Sequence, residues 1–256
     1  MDGFKYIFDD ATNAYKELTE SKLSYFRFAR DIYGFCINEG GRDEQSLKFA
    51  KIIDRDLYDR FIQQPKSLIG YQGHEDRYLH VDDLDSKHIF MLTFLFNNFK
   101  RDFNRVVEIG AGFGNMLRLV NDIINYAQWD IIDIPHMNEL QHYYVKNEIN
   151  DISKINFING YSALDYSGST IELVIGTHSL SELSWDIFYN YFNKVIRHSK
   201  YLFISYNKNC PSTGLVSEKI NYIKNNGFLL EKNFDYTEKP HGANVSNSLF
   251  KNLLIN

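Results

Sequence analysis

The sequence holds little cysteine: in 256 residues only Cys36 and Cys210 occur, far apart and without a C-x-x-C pair. That spacing offers neither a zinc site nor a redox motif, and free thiols are the expectation. Basic excess is also missing. Lys and Arg number 28 against 33 Asp and Glu, a net charge of -5, whereas a nucleic-acid partner calls for a basic face. Long apolar runs are absent too. The greasiest stretch, Ile89 to Phe96, is too short to span a bilayer. The opening Met1-Asp-Gly-Phe-Lys5 lacks the basic start and apolar run of a signal peptide. These absences lead us to expect a soluble cytoplasmic protein with no nucleic-acid and no membrane partner. The sequence leaves a homo-oligomer open. The length allows one well-filled α/β domain plus an addition.

What is present centres on Arg105-Val-Val-Glu-Ile-Gly-Ala-Gly-Phe-Gly-Asn115. Val106, Val107 and Ile109 read as a short buried strand, and Met116, Leu117, Leu119, Val120, Ile123 and Ile124 follow at helical spacing. Strand, glycine turn, helix is the form of a nucleotide cradle, in which glycines allow close approach and the helix start offers free N–H groups. The dinucleotide pattern G-x-G-x-x-G fails here, because Asn115 stands where its third glycine belongs. No Gly-Lys-Ser/Thr follows, so a P-loop is excluded. Instead Gly110, Gly112 and Gly114 alternate, with Glu108 two residues ahead. A carboxylate there suits a ligand carrying a cation and would repel a diphosphate.

A second acid supports the cradle. Trp129-Asp-Ile-Ile-Asp-Ile134 reads as the next strand, and Asp133 closes it. An acid about 20 residues past the glycine loop grips a ribose diol in βαβ nucleotide sites. Asp133 can also be read as a helix cap or a turn former before Pro135.

Glu108-x-Gly110-x-Gly112-x-Gly114 after a strand resembles motif I of class I S-adenosylmethionine-dependent methyltransferases. Three further stretches resemble the bacterial sugar O-methyltransferase family over residues 100–256. They are Ile132-Asp-Ile-Pro135 with Leu140-Gln-His-Tyr-Tyr144, Leu173-Val-Ile-Gly-Thr-His-Ser-Leu-Ser-Glu-Leu183, and Asn244-Val-Ser-Asn-Ser-Leu-Phe-Lys-Asn-Leu-Leu254. The resemblance implies S-adenosyl-L-methionine as cofactor and a sugar or sugar nucleotide as small-molecule acceptor. It implies that Glu108, Gly110, Gly112, Gly114 and Asp133 hold the cofactor, with Ser162 or Tyr161 near the adenine.

The expected fold is α/β, a Rossmann-like seven-stranded methyltransferase sheet, mostly parallel with one antiparallel strand, under an N-terminal helical cap. Residues 1–100 form the cap and substrate region, and 101–256 the methyltransferase domain. Strands are expected at 105–109, 128–133, 154–158, 171–177, 200–206, 227–234 and 248–255. Helices are expected at 114–125, 137–148, 184–197 and 213–226. The link from 235 to 247, with Pro240 and Gly242, reads as a loop. In the cap, Tyr6 to Ile32 carries helical periodicity, and one helix is expected from Glu44 to Gln63, stopping at Pro65. Ser86 is placed to cap a helix carrying Ile89 to Phe96.

His178 follows the fourth strand at the carboxyl edge, where open α/β sheets bind ligands, and its residue type suits proton abstraction near neutrality. It can equally line the cofactor or be structural. Glu182 lies four residues on and would face and orient it if the segment is helical. His136 and His74 compete for the base role. The polar segment 69–80 offers Tyr71, His74 and Arg77 as a substrate surface, and Asn207, after the fifth strand, edges the same side. No firm ligand spacing calls for a metal. Two alternatives stay open: a methyltransferase acting on nitrogen or carbon, and a cofactor-binding protein without catalysis.

Overall fold

The computed structural model describes residues 23, 26–28, 43–70, 83–97, 99, 101–162, 164–166, 170–208, 216–238 and 242–255. Tyr71, His74 and Arg77, both cysteines and the helical expectation for residues 6–22 lie outside these. The chain falls into two compact units, one of Met1–Thr93, Gly112–Ile123 and Pro135–Ile152, the other of Phe94–Ala111, Ile124–Ile134 and Ser153–Asn256.

The second unit is built on a seven-stranded sheet in the order β3-β2-β1-β4-β5-β7-β6. Its strands are β1 Asp102–Ile109, β2 Asn125–Asp133, β3 Ile155–Asn159, β4 Ile171–Thr177, β5 Ser199–Asn207, β6 Phe228–Thr237 and β7 Asn244–Asn252. All pairings are parallel except those of β7 with β5 and β6. Six strands therefore run one way and β7 runs against them, as expected from the sequence. Val106-Val-Glu-Ile109, Ile131-Ile132 and Leu173-Val-Ile175 are buried throughout, as parallel strands covered on both faces require.

One face carries Val107, Ile109, Ile132, Val174, Leu202 and Ile204, packed with Phe188 and Phe192 of the helix Trp185–Lys194 and Ile223 of the helix Val216–Asn225. The register puts Glu108, Trp129, Asp133, Thr177, Ser205 and Asn247 on the other face. Phe94 covers part of it, 6.2 Å from the Phe203 ring and 6.2 Å from Phe234.

We number the helices in chain order: α1 Glu44–Ile53, α2 Arg55–Ile62, α3 Asp83–Phe96, α4 Asn115–Val120, α5 Pro135–Glu148, α6 Trp185–Lys194 and α7 Val216–Asn225. The expected single helix from Glu44 to Gln63 is two. Asp54 leaves helical dihedrals (φ −154°, ψ 101°) and its carboxylate accepts from the Leu57 N–H at 3.0 Å, so it ends α1 and caps α2. Ser86 is not a cap either: α3 already runs from Asp83, and the buried Ser86 hydroxyl accepts from the Asp43 N–H at 3.2 Å.

Within the first unit, α3, α4 and α5 share a buried polar network. Arg118 donates to Asp85 at 2.7 Å and to the side-chain oxygen of Asn115 at 3.0 Å, and the Asn115 amide donates to Asp85 at 2.8 Å. The Tyr144 hydroxyl donates to Asn115 at 3.0 Å. Burial pushes the Asp85 carboxyl up, but Arg118, Arg27, Asn115 and His88 outweigh it and hold its pKa below the ordinary value. The network is closed at every carboxylate it contains, which is what a buried charge needs to be tolerated.

Strand ends differ from the sequence reading: β1 starts at Asp102 instead of 105, β6 runs to Thr237 instead of 234, β7 ends at Asn252 instead of 255, and two strand starts move as well. β2 begins at Asn125, because α4 stops at Val120 instead of running to 125. β7 begins at Asn244 rather than 248, so most of the expected 235–247 loop is strand. Its polar residues are accommodated because both neighbours satisfy the backbone.

Candidate active site

Glu108 sits at the end of β1 with 1% of its surface exposed. One carboxyl oxygen accepts from the Trp129 indole N–H at 3.2 Å. Among the described residues the other, Oε1, has no hydrogen-bond partner. Burial raises the Glu108 pKa to about 8; the Trp129 bond opposes this and the nearby Asp133 charge adds to it. The carboxyl is therefore neutral until something cationic reaches it.

The chain turns sharply beyond Glu108. Gly110 takes φ +72°, and a Cβ on it would lie 2.4 Å from Ser179 Cβ. Its N–H donates to Ile132 O at 3.0 Å, while the Ser179 hydroxyl donates to Ile109 O. No side chain other than hydrogen fits there. Gly112 (φ +58°) and Gly114 (φ +95°) continue the turn, and Gln141 donates to Gly112 O at 2.8 Å.

Asp133 closes β2 on the same face as Glu108, one row further toward the carboxyl edge. One of its oxygens accepts from the Ile134 N–H at 2.8 Å, and its carbonyl accepts from the Gly160 N–H at 2.7 Å. Ser162 lies in the exposed turn after β3, its hydroxyl donating to Asn159 O at 2.5 Å. Tyr161 beside it is 69% exposed.

His178 follows β4 and, among the described residues, is alone among non-glycines in taking positive φ, at +52°. A histidine held there is strained by roughly 1–3 kcal/mol, and such strain concentrates at sites of function. Its N–H donates to Ser205 O at 2.8 Å, and its Nε2 stands 3.4 Å from the Ser205 hydroxyl. The expectation that Glu182 faces His178 on a helix is corrected: residues 178–184 form turns, because the left-handed residue at 178 breaks the helical path before α6 begins at Trp185. Glu182 instead has Lys219 as its charged neighbour. Burial raises the Glu182 pKa to about 7 against that neighbour's pull. Lys219 of α7 is 3% exposed and donates to the carbonyls of Leu180, Ser181 and Leu183 at 3.4, 2.7 and 2.6 Å. Burial lowers its pKa to about 8, with Glu182 opposing. Lys219 thus ties down the turn that carries His178.

Asn207 ends β5, half-buried, opposite Val245 of β7. His136 lies in the first turn of α5, half-buried, and belongs to the first unit. Glu108, Gly110, Asp133, Ser162, His178, Glu182 and Asn207 all belong to the second. The sequence reading missed Ser179, Ser205, Lys219 and Asn247. Ser205 and Asn247 enter through pairing across the sheet, Lys219 from a distant helix and Ser179 through its contact with Gly110. Among the described residues no group of three or more His, Cys, Asp or Glu is placed to hold a metal ion, and no helix is long and apolar enough to cross a membrane.

No family model matches the chain, and no curated protein matches it in sequence. Solved structures match it in fold. One is PH1948 from Pyrococcus horikoshii, described as an RNA methyltransferase: TM-score 0.50, 9% identity, covering 82% of this chain and 100% of that one. Another is the N-methyltransferase NodS from Bradyrhizobium japonicum WM9: TM-score 0.50, 12% identity, covering 65% of this chain and 94% of that one. With the strand order and the single reversed strand, these likenesses give the chain the class I methyltransferase fold.

Proposed function

We propose that the chain is an S-adenosylmethionine-dependent methyltransferase acting on a hydroxyl of a sugar or sugar-containing metabolite. The observation that carries the cofactor is Glu108: a buried carboxyl with one open oxygen, beside a glycine turn that admits no Cβ. An orphaned buried acid is costly unless a ligand completes it, and the ammonium of a sulfonium amino acid is a matching partner. Asp133, at the end of the adjoining strand on the same face, offers acceptors to a ribose diol. When bound, S-adenosylmethionine supplies a methyl group already activated by the positive sulfur.

The chain's own residues then have two tasks. Glu108, Gly110 and Asp133 orient the donor, and alignment of this kind supplies much of the rate in such transfers. His178 takes the proton of the acceptor hydroxyl at Nε2. The Ser205 hydroxyl and the three-carbonyl grip of Lys219 hold the histidine turn in place. Glu182 is a positioning residue through Lys219. Ser162 edges the adenine, and Asn207 is an acceptor contact in this reading.

The test is a screen of sugar nucleotides and free hexosides with unlabelled S-adenosylmethionine, read by mass spectrometry, with amines and tRNA as competing acceptors. The proposal expects a product 14 mass units heavier on a hydroxyl (roughly one methylene), and a fall of about 10²–10⁴-fold in turnover for His178→Ala with donor affinity kept. Methylation of amine or tRNA alone would move the acceptor class. Donor binding without any turnover would favour the non-catalytic alternative.

A further inference from the structure

Asn247 is fully buried on β7, and neither its amide nitrogen nor its carbonyl oxygen has a hydrogen-bond partner among the described residues. The other buried polar side chains of the same strand are satisfied. Ser246 and Ser248 donate to Asn233 and Asp235, with the shortest bond 2.6 Å, and Asn252 reaches the carbonyls of Arg197 and Ser199 at 3.2 and 3.0 Å. Those groups lie on the opposite face or at the far end of β7. Asn247 lies on the Glu108 face, directly across from Ser205 in the antiparallel ladder. Directly opposed residues have Cβ atoms about 4.5–5.5 Å apart. Ser205 is the residue whose hydroxyl stands 3.4 Å from His178 Nε2. An open carboxamide, a hydroxyl and a strained histidine thus stand in a row, with Asn207 two residues beyond Ser205 on the same face.

We propose that Asn247 binds the methyl acceptor, its carboxamide pairing with neighbouring hydroxyls of a neutral polyol beside His178. This rests on the hydroxyl-transfer reading above and names the recognition element within it. The donor and acceptor sides of the amide are both open, and a hydroxyl pair can use both, since each hydroxyl gives one hydrogen bond and takes others. A phosphate or carboxylate would use only the N–H groups and set its charge against Oδ1. An ammonium would use only Oδ1. Leaving two such atoms unpaired in the interior is unfavourable, so the residue makes sense as a group kept for a ligand at the expense of stability.

The experiment uses the full chain with ¹⁵N-labelled asparagine, its side-chain amide signal assigned by loss in Asn247→Leu. Methyl hexosides, sugar nucleotides and, as controls, adenosine and phosphate are titrated with and without S-adenosylhomocysteine. The proposal expects a saturable shift of the Asn247 amide with a hexose-bearing probe, and a hexose affinity by calorimetry at least tenfold weaker in Asn247→Leu. Asn247→Asp, which keeps shape and loses the donors, should weaken it as well. Affinity for S-adenosylhomocysteine should stay within about twofold. The Tm of Asn247→Leu should equal or exceed that of the parent, because two unpaired polar atoms are removed. An unmoved amide signal across all hexose probes, a response to adenosine or phosphate alone, or undiminished hexose binding in Asn247→Leu would overturn the proposal. Failure of S-adenosylhomocysteine to bind would instead overturn the cofactor reading, since the hexose titration is read without it.

Discussion

Glu108→Gln separates stability from ligand binding at the residue on which the site turns. The Glu108 pKa is raised by burial to about 8 from an ordinary 4.5. In the unfolded chain the carboxyl ionises near that ordinary value, so between pH 4.5 and 8 the folded chain holds a proton that the unfolded chain has released. Folding stability from this group is fully present below pH 4.5 and is lost as pH rises through about 8. At 1.36 kcal/mol for each unit of difference, the ceiling of the loss is roughly 5 kcal/mol. A denatured state that keeps some structure and a folded site that relaxes leave about 2–3 kcal/mol as a working figure. Glutamine keeps the shape and the bond to Trp129, and carries no ionisable proton. Urea denaturation of both proteins at half-unit steps from pH 5 to 8.5 reads the effect. We expect matching stability at pH 5, and a variant about 2–3 kcal/mol more stable at pH 8.5, or roughly 5–10 °C in Tm. The same variant should bind S-adenosylmethionine more weakly by about tenfold or more, since a neutral amide replaces the partner of a cation. Parallel stability curves across the pH range would refute the buried, neutral state of Glu108.

Other perturbations follow from the same geometry. Gly110→Ala should lower stability by about 1–3 kcal/mol and abolish donor binding, because the new Cβ meets Ser179 at 2.4 Å at a left-handed position; calorimetry and thermal melts read both. Asp85→Ala leaves the Arg118 guanidinium buried without its carboxylate and should cost about 3–5 kcal/mol in chemical denaturation. Lys219→Met frees the carbonyls of Leu180, Ser181 and Leu183, and should reduce turnover more than donor affinity, with Lys219→Arg restoring part of it.

The sheet was legible because parallel strands buried on both faces must be runs of branched apolar residues, and Val106-Val107, Ile131-Ile132 and Leu173-Val-Ile175 are such runs. The strand end at Glu108, the glycine turn after it and the strand that Asp133 closes were legible because loop chemistry is local. What stayed hidden is not. Asp54 splits a helical pattern whose apolar periodicity runs on across it, so a count of spacing misses the cap. Asn244-Val-Ser-Asn247 is polar and reads as loop, yet pairing on both sides makes it strand. Ser205 meets His178 across the sheet at a separation of 27 residues, and Lys219 reaches the carbonyls of the same turn from α7 at 36 to 39, distances that no spacing rule covers.

Isothermal titration of the purified chain with S-adenosylmethionine, S-adenosylhomocysteine and NAD tests the central reading most directly. The account predicts one site for each sulfur nucleotide, weakened in Asp133→Ala, and no competition from NAD. Saturable binding of NAD with none of either sulfur ligand would contradict it.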